Sequence, residues 1–134
     1  MAFLVFVSMI FLHAIADYSL QGILATMKQQ KWWHDNYPDQ RLKYRNDYKV
    51  ALYTHSFEWS FMIMLPAFVQ MIFGDMTVAM VAIYALFIVL NTYLHMVVDD
   101  MKANEKKINL IEDQLLHLIQ IVVTWLLWLV IFGW

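Results

Sequence analysis

The sequence predicts an all-α integral membrane protein, a four-helix bundle whose helices cross a bilayer. Of the 134 residues, 62% are hydrophobic, and they fall into four long runs separated by polar segments. A soluble domain of this size has too little interior to bury so much apolar surface. A spanning helix needs about 20 apolar residues, because each residue rises about 1.5 Å and the hydrocarbon is about 30 Å thick.

The predicted helices form a single transmembrane domain and cover residues 2–27, 50–73, 76–98 and 110–133. No basic region precedes the first run and no small-residue cleavage site follows it, so we interpret it as a retained helix. Segment 28–49 mixes aromatic and charged residues, which is typical of the headgroup layer. Asp75 is a candidate N-cap of the third helix, and Asn109 with Glu112 resembles a capping box for the fourth.

Charge predicts the orientation. All nine Lys and Arg residues lie in the two polar loops, six in segment 28–49 and three in segment 99–109. Because positive loops stay in the cytoplasm, we expect both loops to be cytoplasmic and both termini to face outward.

The net charge of −2 gives no indication of nucleic-acid binding. Without cysteine the chain has no disulfides and no thiolate metal ligands.

Each predicted helix carries a histidine and a carboxylate three or four residues apart, a spacing that places both on one helix face. The pairs are His13 with Asp17, His55 with Glu58, His95 with Asp99, and His117 with Asp113. Three of the histidines are six to ten residues from the nearest lysine, which places them roughly 9–15 Å inside the cytoplasmic boundary. His13 reaches that layer only if the first helix leaves the membrane near Gln21-Gly22.

Two interpretations of the pairs stay open. Each pair could be an interhelical hydrogen bond that satisfies buried polar groups. Alternatively, the set could bind a divalent metal, because intramembrane ionisable residues cost at least ~2.5 kcal/mol each when charged and are functional by default. Imidazoles and carboxylates without thiolates suit zinc, or manganese or iron. The predicted ligands are His13, Asp17, His55, His95, Asp99, Asp113 and His117, with Gln21 and Gln114 beside them as orienting residues.

The segments 13–21, 95–99 and 113–117, together with His55, resemble the domain-of-unknown-function 3307 family, small inner-membrane proteins of bacteria and their phages. The resemblance spans nearly the whole chain. It implies a multi-pass protein of the bacterial inner membrane and a pattern formed by the His, Asp and Gln residues of these segments. Glu58 and segment 28–49 lie outside the pattern. More distantly, the His-x-x-x-Asp motif is similar to a family described as membrane-bound metal-dependent hydrolases.

The predicted function is a membrane-embedded, metal-dependent hydrolase that acts on a lipid or lipid-linked phosphate near the cytoplasmic leaflet. A metal would polarise a phosphoryl or carbonyl oxygen and acidify a water molecule, with Asp99 or Glu58 as general base. The alternative is a non-enzymatic envelope modulator of phage or bacterial origin, with structural His/Asp pairs and a membrane-protein partner or a homo-oligomeric state. A third hypothesis is an ion or proton relay, although the apolar outer halves of three helices argue against a continuous path. Membrane lipids are the expected surroundings.

Overall fold

A computed structural model describes residues 2–74 and 76–133, and throughout these ranges the regular structure is helical. The helices are α1 (Ala2–Ala14), α2 (Leu24–Met27), α3 (Gln30–Asn36), α4 (Asp47–Phe73), α5 (Val78–Ala103) and α6 (Leu110–Phe132). Helix α1 continues as a π-helical turn, Ile15–Ser19, and a 3₁₀ turn, Pro38–Gln40, follows α3. Four helices, α1 with its π turn, α4, α5 and α6, are long and apolar enough to cross a membrane. The predicted all-α class and the four apolar helices are confirmed, and they indicate a multi-pass membrane protein.

The four long helices pack in a ring, in which α4 contacts α1 and α5, and α6 contacts α5 and α1. Their shared interior is apolar over much of its length and contains Trp59, Ile63 and Met64 of α4 and Ile121 and Trp128 of α6. Many large hydrophobic side chains point outward from the bundle on all four helices. Such a surface suits lipid, because a soluble protein rarely exposes contiguous apolar area of this extent.

The first helix is shorter than predicted. It ends at Ser19 and not near Met27, because Leu20 N closes the π turn on Ile15 O at 3.0 Å and Gly22 follows with a φ of +50°. That left-handed conformation suits glycine, which has no Cβ to clash. The early end meets the condition under which His13 was expected to reach the layer of the other histidines.

The bounds of the other long helices differ from the predicted bounds by a few residues. Helix α4 begins at Asp47 and α5 continues to Ala103, because apolar length indicates where a helix leaves hydrocarbon and not where its hydrogen bonds stop. Segment 28–49 holds a short helix, α3, and the 3₁₀ turn.

Thr77 caps α5 by accepting a hydrogen bond from Met80 N at 3.2 Å, whereas Asp75, the predicted cap, lies outside the described residues. The capping box of Asn109 and Glu112 on α6 is confirmed.

Candidate metal centre

Six of the predicted ligands converge at one level of the bundle interior. We call them the His/Asp cluster: Asp17, His55, His95, Asp99, Asp113 and His117. All are buried, with at most 6% of each residue exposed. Three groups of three offer ligand atoms within 4.8 Å of one another: Asp17 with His55 and His95, His95 with Asp99 and His117, and Asp17 with Asp113 and His117. All four long helices therefore contribute to one site.

On one side of the cluster, the polar atoms contact each other closely. His55 Nε2 lies 3.2 Å from His95 Nε2, within hydrogen-bond distance. The same nitrogen lies 3.3 Å from Asp17 Oδ1 and 3.4 Å from Asp99 Oδ2. One proton shared between the two Nε2 atoms satisfies this contact, whereas His95 Nδ1 is buried without a partner among the described residues.

On the other side, a buried imidazole nitrogen lies near two buried carboxylate oxygens, and none of the three has a hydrogen-bond partner among the described residues. They are His117 Nε2, Asp99 Oδ1 and Asp113 Oδ1. The nitrogen lies 3.6 Å from Asp99 Oδ1 and 3.4 Å from Asp113 Oδ1. The His117 ring is held in place by stacking on His95, with ring centroids 4.0 Å apart.

Two lysines that the sequence analysis assigned to polar loops reach into the cluster. Buried Lys28 places its Nζ 2.6 Å from Asp99 Oδ2. Lys102 bonds to Asp113 Oδ2 and lies 3.8 Å from Asp99 Oδ1. With neutral imidazoles, two ammonium groups against the carboxylates of Asp17, Asp99 and Asp113 leave one negative charge, which favours a cation.

The lysine contacts could be anticipated to different degrees. Lys102 lies three residues after Asp99, a helical spacing that faces the same side, so the sequence did contain that signal. Lys28 approaches Asp99 only because the chain turns back after Gly22. Asn104, also missed, fixes this return by donating to Lys28 O at 3.0 Å and accepting from Gln30 N at 2.7 Å.

Both predicted orienting glutamines contact the cluster's carboxylates. Gln21 Nε2 bonds to the backbone oxygen of Asp17 and lies 3.2 Å from its Oδ1. Gln114 Nε2 lies 2.6 Å from Asp17 Oδ2 and 3.0 Å from Asp113 Oδ2. These bonds fix the orientation of Asp17, which lies on the π-helical turn, a feature that often occurs at functional sites.

Two predicted residues are not brought into the cluster. Glu58 is exposed on α4, because the buried stripe of that helix passes through His55, Ser56, Trp59 and Ser60. It therefore neither pairs with His55 nor lies where a general base could serve the site. His13 is buried beside the cluster, with its ring centroid 6.0 Å from that of His117. Its Nδ1 accepts a 2.8 Å hydrogen bond from Trp59 Nε1.

The donor atoms fit a metal ion. Ligand atoms that each lie 2.0–2.2 Å from one ion are separated from each other by about 3–3.5 Å. The two distances from His117 Nε2, to Asp99 Oδ1 and Asp113 Oδ1, are 3.6 and 3.4 Å. Nitrogen and carboxylate oxygen together suit zinc, manganese or iron.

Comparison of the chain with protein-family models, with curated proteins and with solved structures gives no match. The family resemblance drawn from the His, Asp and Gln motifs therefore stays a prediction.

Proposed function

We propose that this chain is a membrane-embedded protein that binds one divalent metal ion between Asp17, Asp113 and His117. The supporting observation is that these residues offer ligand atoms within 4.8 Å of one another, and that two of their atoms, His117 Nε2 and Asp113 Oδ1, are buried and unpartnered 3.4 Å apart. Buried polar atoms almost always have partners, so two unpartnered atoms at metal-ligand spacing suggest a missing ligand. Asp99 Oδ1, also buried and unpartnered, lies 3.6 Å from His117 Nε2 and is the neighbouring carboxylate.

The proposed location is the cytoplasmic side of a bacterial inner membrane, with both termini outside. The nine Lys and Arg residues, all in the two polar loops, support this orientation. Reporter fusions to the C-terminus and within the loop near Asn104 test it. A cytoplasmic signal from the C-terminal fusion would reverse the orientation and move the metal centre to the outer leaflet.

The proposed reaction is hydrolysis of a lipid or lipid-linked phosphate. A divalent ion at this position would polarise a phosphoryl oxygen and acidify a water molecule. Of the two predicted general bases, only Asp99 lies in the cluster, and its unpartnered Oδ1 is not one of the proposed ligand atoms. The ammonium groups of Lys28 and Lys102 would stabilise negative charge that develops on the phosphoryl group.

A groove on the lipid-facing surface supports a lipid substrate. It has a volume of 310 Å³, lies between α5 and α6, and is lined mainly by aliphatic side chains. Leu94 and Leu116, two of its walls, are the immediate sequence neighbours of His95 and His117. A hydrocarbon chain in this groove would lie next to the cluster without leaving the bilayer.

The experiment measures phosphate release from phospholipid in nanodiscs that contain the chain loaded with zinc or manganese. We expect activity in the wild type, its loss in Asp99→Asn, and its retention in Ser60→Ala, a change of a buried polar residue that lies outside both the cluster and the groove. Equal activity in the wild type and Asp99→Asn, or none in any metal-loaded sample, would contradict the hydrolase proposal. Metal binding itself would then be judged by metal content alone.

A second candidate is a non-enzymatic membrane protein whose cluster is structural. Lys28 and Lys102 pair with two of the three carboxylates, so that only one carboxylate charge in the cluster is left unbalanced without any ion. A wild-type protein that folds free of metal and is indifferent to chelator would favour this candidate.

A further inference from the structure

A polar cavity of 370 Å³ lies at the end of the bundle that carries the two polar loops, between α3, the segment after it and the loop after α5. Its polar lining comes from separate parts of the chain and contains no member of the His/Asp cluster. The lining residues with polar side chains include Lys31, His34, Asp35, Arg41, Asn104 and Lys106.

The walls of this cavity are joined by hydrogen bonds through Asn104. Its Oδ1 accepts from Gln30 N at 2.7 Å, at the start of α3. Its Nδ2 donates to Lys28 O at 3.0 Å and to Asp100 Oδ1 at 2.6 Å. The loop after α5 and the segment that carries Lys31 are therefore held together, and the cavity is preformed.

An aromatic cluster fixes the other wall. Trp33 of α3 stacks on Tyr37 and Tyr44, with ring centroids 5.9 and 5.7 Å apart. Its Nε1 donates to Met27 O at 2.8 Å. Tryptophan and tyrosine settle at the headgroup level of a bilayer, so this packing places the cavity among lipid phosphates.

The charges of the lining favour an anion. Asp35, the single carboxylate among the cavity's described lining residues, is paired with Lys31 at 2.6 Å. Arg41 and Lys106 have no carboxylate within 4.0 Å in the ranges that the structure describes. The Lys106 ammonium donates one bond to Ala103 O at 2.6 Å, which orients it and leaves two of its protons free.

We propose that this cavity binds a phosphate group. Arginine presents a planar pair of donors that matches two phosphate oxygens, and lysine adds a point charge. The volume admits the phosphate and bridging waters, since one water occupies about 30 Å³ of liquid. The phosphate can come from a lipid headgroup or from free phosphate, which present the same anionic oxygens. This site goes beyond the metal centre and shares no residue with it.

The experiment uses the full chain in phosphatidylcholine nanodiscs that contain a small fraction of phosphatidate, and native mass spectrometry counts the lipids retained. We expect selective retention of phosphatidate and a loss of affinity of about tenfold or more in the double variant Arg41→Gln/Lys106→Gln, because charge-assisted bonds are removed. The matched control is Lys43→Gln/Arg45→Gln, which removes the same two charges from outside the cavity and should keep the affinity.

The second arm adds inorganic phosphate as a competitor. Displacement of phosphatidate at millimolar phosphate shows that the free anion also enters, and retention assigns the site to the headgroup; both support a phosphate site. Equal losses in the double variant and its control would overturn the proposal, because they indicate diffuse attraction to a basic surface. Absence of binding by the wild type to either probe would overturn it as well.

A measurement on the wild type covers the case in which the double variant does not fold. Acylation of lysines in nanodiscs with and without phosphatidate should show protection of Lys106 and none of Lys43. Equal acylation of both would overturn the proposal. Metal content is unaffected by any of these changes, so failure here is distinguishable from failure of the metal centre.

Discussion

Two buried polar networks lie about one helical turn apart on α5 and α6, and they differ in how completely their hydrogen bonds are satisfied. In the first, which we call the amide network, Gln120 Nε2 donates to Asn91 O at 2.9 Å and Oδ1 at 2.8 Å. Thr124 donates to the same Asn91 Oδ1 at 3.0 Å, and Asn91 donates to Phe87 O at 2.9 Å. No atom of the amide network is among the buried atoms that lack a partner.

In the second, the His/Asp cluster, five buried atoms on four residues lack a partner within the described part of the chain. A network in which every bond is made holds helices together and needs nothing from outside. A network with unpartnered atoms needs shared protons, water or an ion. The comparison indicates that the amide network is structural and that the cluster is built to receive a ligand, and four substitutions test this difference.

The largest effect is expected for Lys28→Ala. It leaves the buried carboxylate of Asp99 without its ammonium partner, and breaking a buried ion pair costs about 3–5 kcal/mol of unfolding free energy. Added divalent metal should recover part of this loss, because the cluster gains a negative charge. Thermal unfolding in detergent micelles measures it. Lys31→Ala, which breaks the exposed pair with Asp35, is the matched control and should change the unfolding free energy very little.

The second largest effect is expected for His117→Ala. A metal present at 100 times its Kd stabilises the folded state by about 2.7 kcal/mol, and this substitution should remove that stabilisation together with the bound metal. His34→Ala, at a histidine outside the cluster, is the control. If His117→Ala loses the same unfolding free energy with chelator as without it, His117 has a structural role and is not a metal ligand.

His13→Ala should have an intermediate effect. It leaves the buried Nε1 of Trp59 without an acceptor, which costs about 1–3 kcal/mol, while metal content stays at the wild-type value. Elemental analysis of the variant checks this. A fall in metal content equal to that of His117→Ala would show that His13 is a ligand, as the sequence pattern predicts.

The smallest effect is expected for Asn91→Ala. Interhelical hydrogen bonds in a bilayer are worth about 0.6 kcal/mol on average and at most about 1.7 kcal/mol, so the loss of stability should fall in that range. It should be the same with and without chelator. A chelator-dependent loss would remove the distinction between the two networks.

Much of the fold and of the cluster followed from local patterns. Four apolar runs predicted four long helices, and the Asn109/Glu112 spacing predicted a capping box, because both depend on residues close in sequence. The pairs of histidine and carboxylate predicted the six residues of the His/Asp cluster for the same reason, since helical periodicity fixes which side chains share a face.

The remaining features depend on contacts between distant segments. The early end of α1 follows from the π turn and the left-handed Gly22, and this reversal is what brings Lys28 to Asp99. Lysine carries its charge on a long flexible stem, so its position in a loop does not tell where its ammonium lies. The prediction that Glu58 pairs with His55 was wrong. A residue three positions from a buried one can lie at the exposed edge of the helix face as well as at its buried centre.

The most direct test is elemental analysis and X-ray absorption of wild-type protein purified without added metal, followed by thermal unfolding with and without chelator. We predict about one zinc, manganese or iron ion per chain, nitrogen and oxygen ligands at about 2.0–2.2 Å, and a lower unfolding temperature in chelator. Protein that is metal-free, refuses all three ions when they are added and melts identically with chelator would contradict the metal centre, and the His/Asp cluster would then be a structural polar network.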